Sequence, residues 1–398
     1  MLSASAVDGN TARAEGRKSA YGGGVDTDGT LTASDGASIS RNTAVSLNGD
    51  ANGGGLQIGP GGTAVLSASA VDGNTARTEG SRLAAAGGVY TDGTLTASDG
   101  ASISSNTAVS LNGEAQGGGL EIGEGGTAVL SASNVEGNTA RAEGSKDAYG
   151  GGVVTKNSLT VIDGASISNN TAVSLNGQAY GGGVVAADSS GKCAAAVALN
   201  DSSVLNNTAR AERGAHAEGG GLATFCSLTA RNATIVGNRA LAANGICRGG
   251  GLFHAGFPAL LHGGVIDSNA AIGRVASGSQ VLVGAPIAYV LPAPLGRWLD
   301  GVRQCNRAMC PAGIQGGEVE CALQPCDFDV FGDEVESQWI AVALPGPADG
   351  DAYPPRCIPG SYAAGADPEA DLRVRVRVRV MKRALFHLMT HAIRIART

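Results

Sequence analysis

The sequence is poor in aromatic residues, which make up 4% of its 398 positions. An ordinary globular core uses more, so the interior is expected to be narrow and lined by Val, Ile, Leu and Ala. No uninterrupted apolar run reaches the ~18 residues needed to span a bilayer. The nearest, Val281 to Leu291, is short and interrupted by Pro286. Met1 is followed at once by residues that match a later repeat, so no signal peptide is read in this sequence. Cys is absent before Cys193. Glycine is abundant, at 63 residues, but it lacks a Gly-X-Y period, which excludes collagen. Apolar residues do not recur at helical spacing over the Gly-, Ser-, Thr- and Asn-rich stretches, which disfavours helices.

Charge is uneven. From Leu372 onward there are eight basic residues and no acid. Removing those eight from 28 leaves 20 basic residues against 35 acidic, a body of −15. An acidic body argues against nucleic acid as the partner of the main domain.

What is present is a repeat. An Asn marker falls at Asn10, Asn42, Asn74, Asn106, Asn138, Asn170, Asn207, Asn238 and Asn269. Three residues before each sits Ile or Val, from Val7 to Ile266, and two residues after each sits Ala, from Ala12 to Ala271. Gly clusters beginning at Gly22, Gly53, Gly87, Gly117, Gly150, Gly181, Gly219 and Gly249 precede a Val or Leu. A fixed period of this size means a solenoid or array. Short apolar patches separated by Gly, Asp-Gly and Asn bends predict an all-β fold. The architecture expected is a right-handed parallel β-helix with three short strands per coil. Three apolar columns are expected. One runs Val25, Leu56, Val89, Leu120, and a second runs Leu31, Leu66, Leu95, Leu130. The third is the Ile/Val series. Stacking at ~4.8 Å per coil makes about nine coils a rod of roughly 40 Å.

The predicted organisation is β-helix over 1–275, an irregular cap or linker over 276–304, a Cys-rich segment over 305–371 and a basic tail over 372–398. Leu2–Ala12 matches Leu66–Ala76, so the chain is expected to begin inside a coil. The open edge of that coil predicts self-association.

Asn tolerates the left-handed region and can hydrogen-bond coil on coil, so the nine markers predict an Asn ladder. The Ala that follows is expected at a tight inner corner. Acids alternate with Ser along the coils, as in Asp35, Ser67, Asp99, Ser131, Asp163. Alternation keeps like charges ~9.6 Å apart, twice the strand spacing. A row of calcium sites is the functional reading of these acids. Carboxylates so far apart cannot share one ion at ~2.4 Å, so no cofactor is expected and Ca²⁺ stays the alternative. Arg13, Arg77, Arg141 and Arg210 are placed at turns and follow the repeat register.

Sequons begin at Asn169, Asn200, Asn206 and Asn232, making these glycosylation candidates. The spacing of Cys305, Cys310, Cys321 and Cys326 lacks the C-x2-C of a zinc knuckle, so disulfides are the better reading, with Cys357 a further candidate. Cys193 and Cys226 are the expected pair on neighbouring coils, among the 105 pairings that eight Cys allow. His387 and His391 stand four apart in a basic stretch that reads as an exposed helix.

The pairing of a Gly-rich motif with Ile/Val-x-x-Asn resembles the repeats of polymorphic outer-membrane proteins. Here Gly or Ala is read at the third Gly position, and Ile or Val replaces the family's Phe. Cys357-Ile-Pro-Gly-Ser-Tyr362 is similar to the C-x-P-G-x-Y motif of Cys-rich, ephrin-receptor-like repeats. These resemblances imply an extracellular or cell-surface β-helix used in adhesion or as a scaffold, binding polysaccharide or a cell-surface protein without catalysis. The regularity of the repeat predicts no singular cleft. The competing expectation is a polysaccharide lyase or epimerase of the pectate-lyase-like class, which shares the fold.

Overall fold

The structure is a computed structural model. It describes residues 1–187, 195–213, 216–255, 259–279, 281–283, 287–289, 329–330 and 333–334. The chain divides into two units, Met1–Arg307 with Val342–Gly346, and Ala308–Ala341 with Pro347–Thr398. In the second, Asp329–Val330 pairs antiparallel with Asp333–Glu334. Cys305, Cys310, Cys321, Cys326, Cys357, His387 and His391 lie outside the described residues.

The first unit is an all-β parallel solenoid, and no helix occurs among its described residues. One coil, residues 89–116, shows the plan. It contains five strands, Val89–Thr91, Thr94–Ser98, Ser102–Ser104, Thr107–Ser110 and Ala115–Gln116. Each strand pairs in parallel with its equivalents in the coils before and after, building five strand columns, numbered here in that order. Columns 4 and 5 merge where the ten-residue strand Arg239–Arg248 runs through both. Pairing continues past residue 275, with Val281–Val283 on column 1 and Ile287–Tyr289 on column 2.

The count of five corrects the expected three. Columns 4 and 5 bury only Ala as their apolar residues on the strands of this coil and its neighbours, such as Ala108, Ala115, Ala140 and Ala148, and carry no apolar run that a sequence pattern registers. The Ala that follows each Asn therefore sits inside a strand (Ala108 in Thr107–Ser110) rather than at a corner.

Column 2 holds a second correction. Leu31, Leu66, Leu95 and Leu130 do not stack. The register places Leu31 on Ala64, Ala64 on Leu95 and Leu95 on Ala128. Ala33, Leu66, Ala97 and Leu130 form the other inward row. From the coil of Leu31 to that of Leu130, each coil thus puts one Leu and one Ala inside and exchanges them in the next, while the two coils after it pair Leu159 with Val161 and Val197 with Leu199. In the alternating coils interior volume stays constant while large meets small along the axis, the interdigitation that close packing requires. The side chains of Leu66, Leu95 and Leu130 are at most 1% exposed. Columns 1 and 3 follow the expected apolar rows.

The turn between columns 3 and 4 needs a left-handed residue just before the marker Asn. Gly9, Arg41, Gly73, Ser105, Gly137, Asn169, Asn206, Gly237 and Ser268 all take positive φ there, from 53° to 72°. The Asn that follows is buried from Asn42 to Asn269 and closes the turn. Asn106 donates from its backbone N and from Nδ2 to Oδ1 of Asn138, at 2.9 and 3.1 Å, and from Nδ2 to the Val71 carbonyl at 2.9 Å. Its own Oδ1 accepts the same two bonds from Asn74. The pattern runs from Asn10 to Asn269.

The Gly clusters turn the chain between columns 5 and 1. The first position is left-handed, and it is Ala86, at φ 55°, that stands there in the third coil where other coils have Gly. The Ala of this motif is therefore at the first position, and Gly fills the third throughout. A Cβ at Gly88 would lie 2.8 Å from Nδ2 of Asn106, and the same closeness joins Gly55 to Asn74 and Gly119 to Asn138.

Candidate functional site: an outward groove along columns 5 and 1

The middle residue of each column 1 strand and the last residue of each column 5 strand point outward, five apart in sequence across the Gly corner. In register they run Asn52, Ala85, Gln116, Tyr149, Tyr180, Glu218, Arg248 on column 5. On column 1 they run Asp26, Gln57, Tyr90, Glu121, Val154, Val185, Ala223, Phe253. Although these side chains face away from the core, Glu121, Val154, Val185 and Ala223 are at most 3% exposed. The corner is concave, so the two rows bury one another in a groove.

This groove breaks the repeat. Every aromatic residue before residue 256 lies along it: Tyr21, Tyr90, Tyr149, Tyr180, Phe225 and Phe253. Tyr149 and Tyr180 stack on adjacent coils with centroids 5.1 Å apart and planes 5° from parallel. Tyr180 then meets Phe225 edge to face at 6.1 Å, and Phe225 meets Phe253 at 5.8 Å. The outward rows here depart from the regularity on which the expectation of no singular cleft rested. Regularity governs the inward positions, where neighbours must stack. Outward positions are free to vary.

Charge concentrates in the same place. Lys156 Nζ donates to Glu121 Oε1 at 2.6 Å, and Glu121 is fully buried. The Glu121 carboxylate holds the Lys156 ammonium above its usual range, against the opposing effect of burial. Tyr90 donates to Asp92 at 3.2 Å, and Tyr149 donates to Asp147 at 3.1 Å. Burial and these neighbouring carboxylates push both phenols up, so they remain donors. Burial raises the Asp26 carboxyl, and Asp28 adds to it. Further along, Arg248 donates to Glu218 at 3.1 Å, the two side chains being 14% and 8% exposed. Burial pushes the Glu218 carboxyl up, and Arg248 opposes it.

The residues singled out by sequence lie elsewhere. The Asn ladder is internal and structural. Ser3, Ser67 and Ser131 donate to Asp35, Asp99 and Asp163 of the next coil at 2.7 to 2.8 Å, so each alternating Ser meets the hydrogen-bonding need of an exposed acid. Among the described residues no group of three His, Cys, Asp or Glu is placed to hold a metal. Arg13, Arg77, Arg141 and Arg210 lie within column 4 strands rather than at turns, each paired with the Glu two residues on. Residues i and i+2 share a strand face, which is why they meet.

Of the sequon residues, Asn169, Asn206 and Asn232 are exposed at positive φ, while Asn200 is half-buried at the end of a strand. Cys226 is disulfide-bonded and Cys193 lies outside the described residues. Cys247 is a buried free thiol. The groove had one legible signal in the sequence. The rare aromatics recur just before or after Gly clusters, at Tyr21, Tyr90, Tyr149 and Tyr180.

No helix among the described residues is long and apolar enough to cross a membrane. No protein-family model matches the chain. No curated protein matches it either. Among solved structures, the "Crystal structure of TibC-catalyzed hyper-glycosylated TibA55-350 fragment" is 14% identical, over 70% of this chain and 100% of that one. Its TM-score of 0.14 carries no argument about this protein.

Proposed function

We propose that this protein is a non-catalytic scaffold at the cell surface or outside the cell, and that its groove binds an extended polysaccharide. The observation that carries the reading is the confinement of all six aromatic residues before residue 256 to one groove of an otherwise small-residue surface. Tyr combines apolar area with a polar tip, as binding to a hydroxyl-rich polymer needs. The disulfide at Cys226 supports placement in an oxidising compartment. Repetition supports an extended ligand, since the groove advances ~4.8 Å per coil. An extended peptide advances ~3.3 Å per residue and falls out of step with the coils. A β-1,4-linked pyranose chain advances by close to one coil per ring.

The competing reading is a polysaccharide-active enzyme. It is favoured by the buried Glu218–Arg248 pair beside Tyr180. One experiment separates the two. The purified chain is incubated with neutral, acidic and cationic polysaccharides, and bound fraction and polymer length are measured together. Retention at unchanged length, reduced in Tyr149→Ala and Tyr180→Ala variants, is the expected result. Shortened polymer would establish the enzyme. Absence of retention on every polymer would overturn binding.

A further inference from the structure

Resting on the polysaccharide-binding reading, we infer that the groove selects a cationic amino-sugar polymer, and that Glu121 with its neighbours on the second to fourth coils forms the ammonium subsite. Two independent observations lead there.

The first is charge. Over the first five coils the groove's outward positions and their flanks carry Asp26, Asp28, Asp92, Glu114, Glu121 and Asp147, with Lys156 paired to Glu121. A polymer of uronic acids or sulfate esters would be repelled along this length, and a polycation attracted.

The second is unused bonding capacity. Lys156 occupies Glu121 Oε1 and leaves Oε2 buried with no hydrogen-bond partner. Gln116, across the same corner, spends its Nε2 on Glu114 at 3.2 Å, which fixes its amide orientation. Its Oε1 is then also buried and unpartnered. Two coils earlier Asn52 Oδ1 and Gln57 Oε1 occupy the equivalent places and are likewise unpartnered. All four are acceptors, and a buried acceptor without a donor is costly. A ligand with N–H groups satisfies them, and an ammonium does so at Glu121 with charge-assisted bonds.

The two sets stand two coils apart, ~9.6 Å along the axis. That matches alternate rings of an extended β-1,4 chain, which present their substituents on the same side. Between them lies Tyr90, whose phenol is committed to Asp92 and which offers its ring to the pyranose above. Deacetylated glucosamine supplies an ammonium on each ring. The N-acetylated form replaces that charge with an amide and adds bulk.

The test uses the full chain in calorimetric titration with three hexamers: glucosamine with its amines protonated, N-acetylglucosamine, and galacturonate. The glucosamine hexamer is expected to bind, at least tenfold more tightly than the acetylated one, with no galacturonate binding. Raising salt from ~0.1 M to ~1 M should weaken the complex, because the attraction is screened. Glu121→Gln should weaken it at least tenfold. Because that change also disturbs Lys156, Asp92→Asn serves as the second variant, and it should weaken binding while leaving the thermal transition in place.

Equal binding of the acetylated and deacetylated hexamers, or binding of galacturonate, would overturn this inference and leave polysaccharide binding standing. Unchanged affinity in both variants would also overturn it. Polylysine binding as tightly as the glucosamine hexamer would show a site for any polycation and overturn the glycan assignment. Failure of all three hexamers and of the longer polymers would remove the underlying reading as well.

Discussion

Gly88 lies so close to Asn106 that a Cβ built on it would stand 2.8 Å from the amide Nδ2. Two motifs that are separate in sequence are therefore one structural unit. The third Gly of each cluster is the floor on which the next Asn of the ladder lies. Both elements must be kept for either to serve.

Gly88→Ala is expected to destabilise by about 2–3 kcal/mol, because the added methyl meets a fully hydrogen-bonded side chain and a backbone carbonyl that cannot retreat. Asn106→Ala is expected to cost about 3 kcal/mol, since it strands buried groups on Asn74, Asn138 and Val71. Urea unfolding measures both. A loss below about 0.5 kcal/mol in either would show that the ladder contributes little to stability.

Ala86→Gly is expected to stabilise by about 1 kcal/mol. Ala86 holds φ 55°, and at the equivalent Gly53 a Cβ would collide with the carbonyl of Leu56. A higher midpoint in urea at unchanged slope is the outcome that supports this reading. A lower midpoint would contradict it.

Leu95→Ala should cost about 2–5 kcal/mol through the cavity it leaves. Adding Ala97→Leu restores the composition of the coil, yet the double variant should stay destabilised by about 1–3 kcal/mol. It would set a further Leu between Leu66 and Leu130 in one inward row, and a further Ala between Ala64 and Ala128 in the other. Large would then meet large, and small would meet small. Full recovery would mean that volume alone matters and register does not.

Lys156→Met should cost about 3–5 kcal/mol, because it leaves the Glu121 carboxylate buried without a cation. Adding Glu121→Leu to this variant should recover most of the loss. A double variant no more stable than the single one would refute the pairing.

Acid should weaken the solenoid through Asp8, Asp35 and Asp99. Arg41 and Ser40 hold the Asp8 carboxyl below its ordinary 3.8, and paired Ser hydroxyls do the same for Asp35 and Asp99. A lowered folded value gives stability that is present above 3.8 and lost as pH falls through the folded values. Unfolding followed from neutral pH into this acid window should show the loss, and Asp35→Asn with Asp99→Asn should flatten it. An unchanged acid profile in the double variant would refute the assignment.

The sequence by itself determined the solenoid. The period, the Ile/Val-x-x-Asn spacing and the Gly clusters are legible because stacked coils demand the same residue at the same place in every turn. Rows such as Val89 on Leu120 and Ile103 on Val135 follow directly from it. What the period could not supply was anything decided across the axis. The Ala-lined columns 4 and 5 carry too little hydrophobic contrast to be read as strands. The shift of Leu66 out of the Leu95 row depends on the connection between columns 2 and 3. That connection alternates in length, Ser34 to Ser38 against Ser67 to Ala70, while the total period stays fixed. The groove was hidden for a related reason. Glu121, Gln116, Tyr149 and Lys156 are scattered in sequence and share no motif. Only the concave Gly corner, and the parallel register that sets one coil on the next, turns them toward one another.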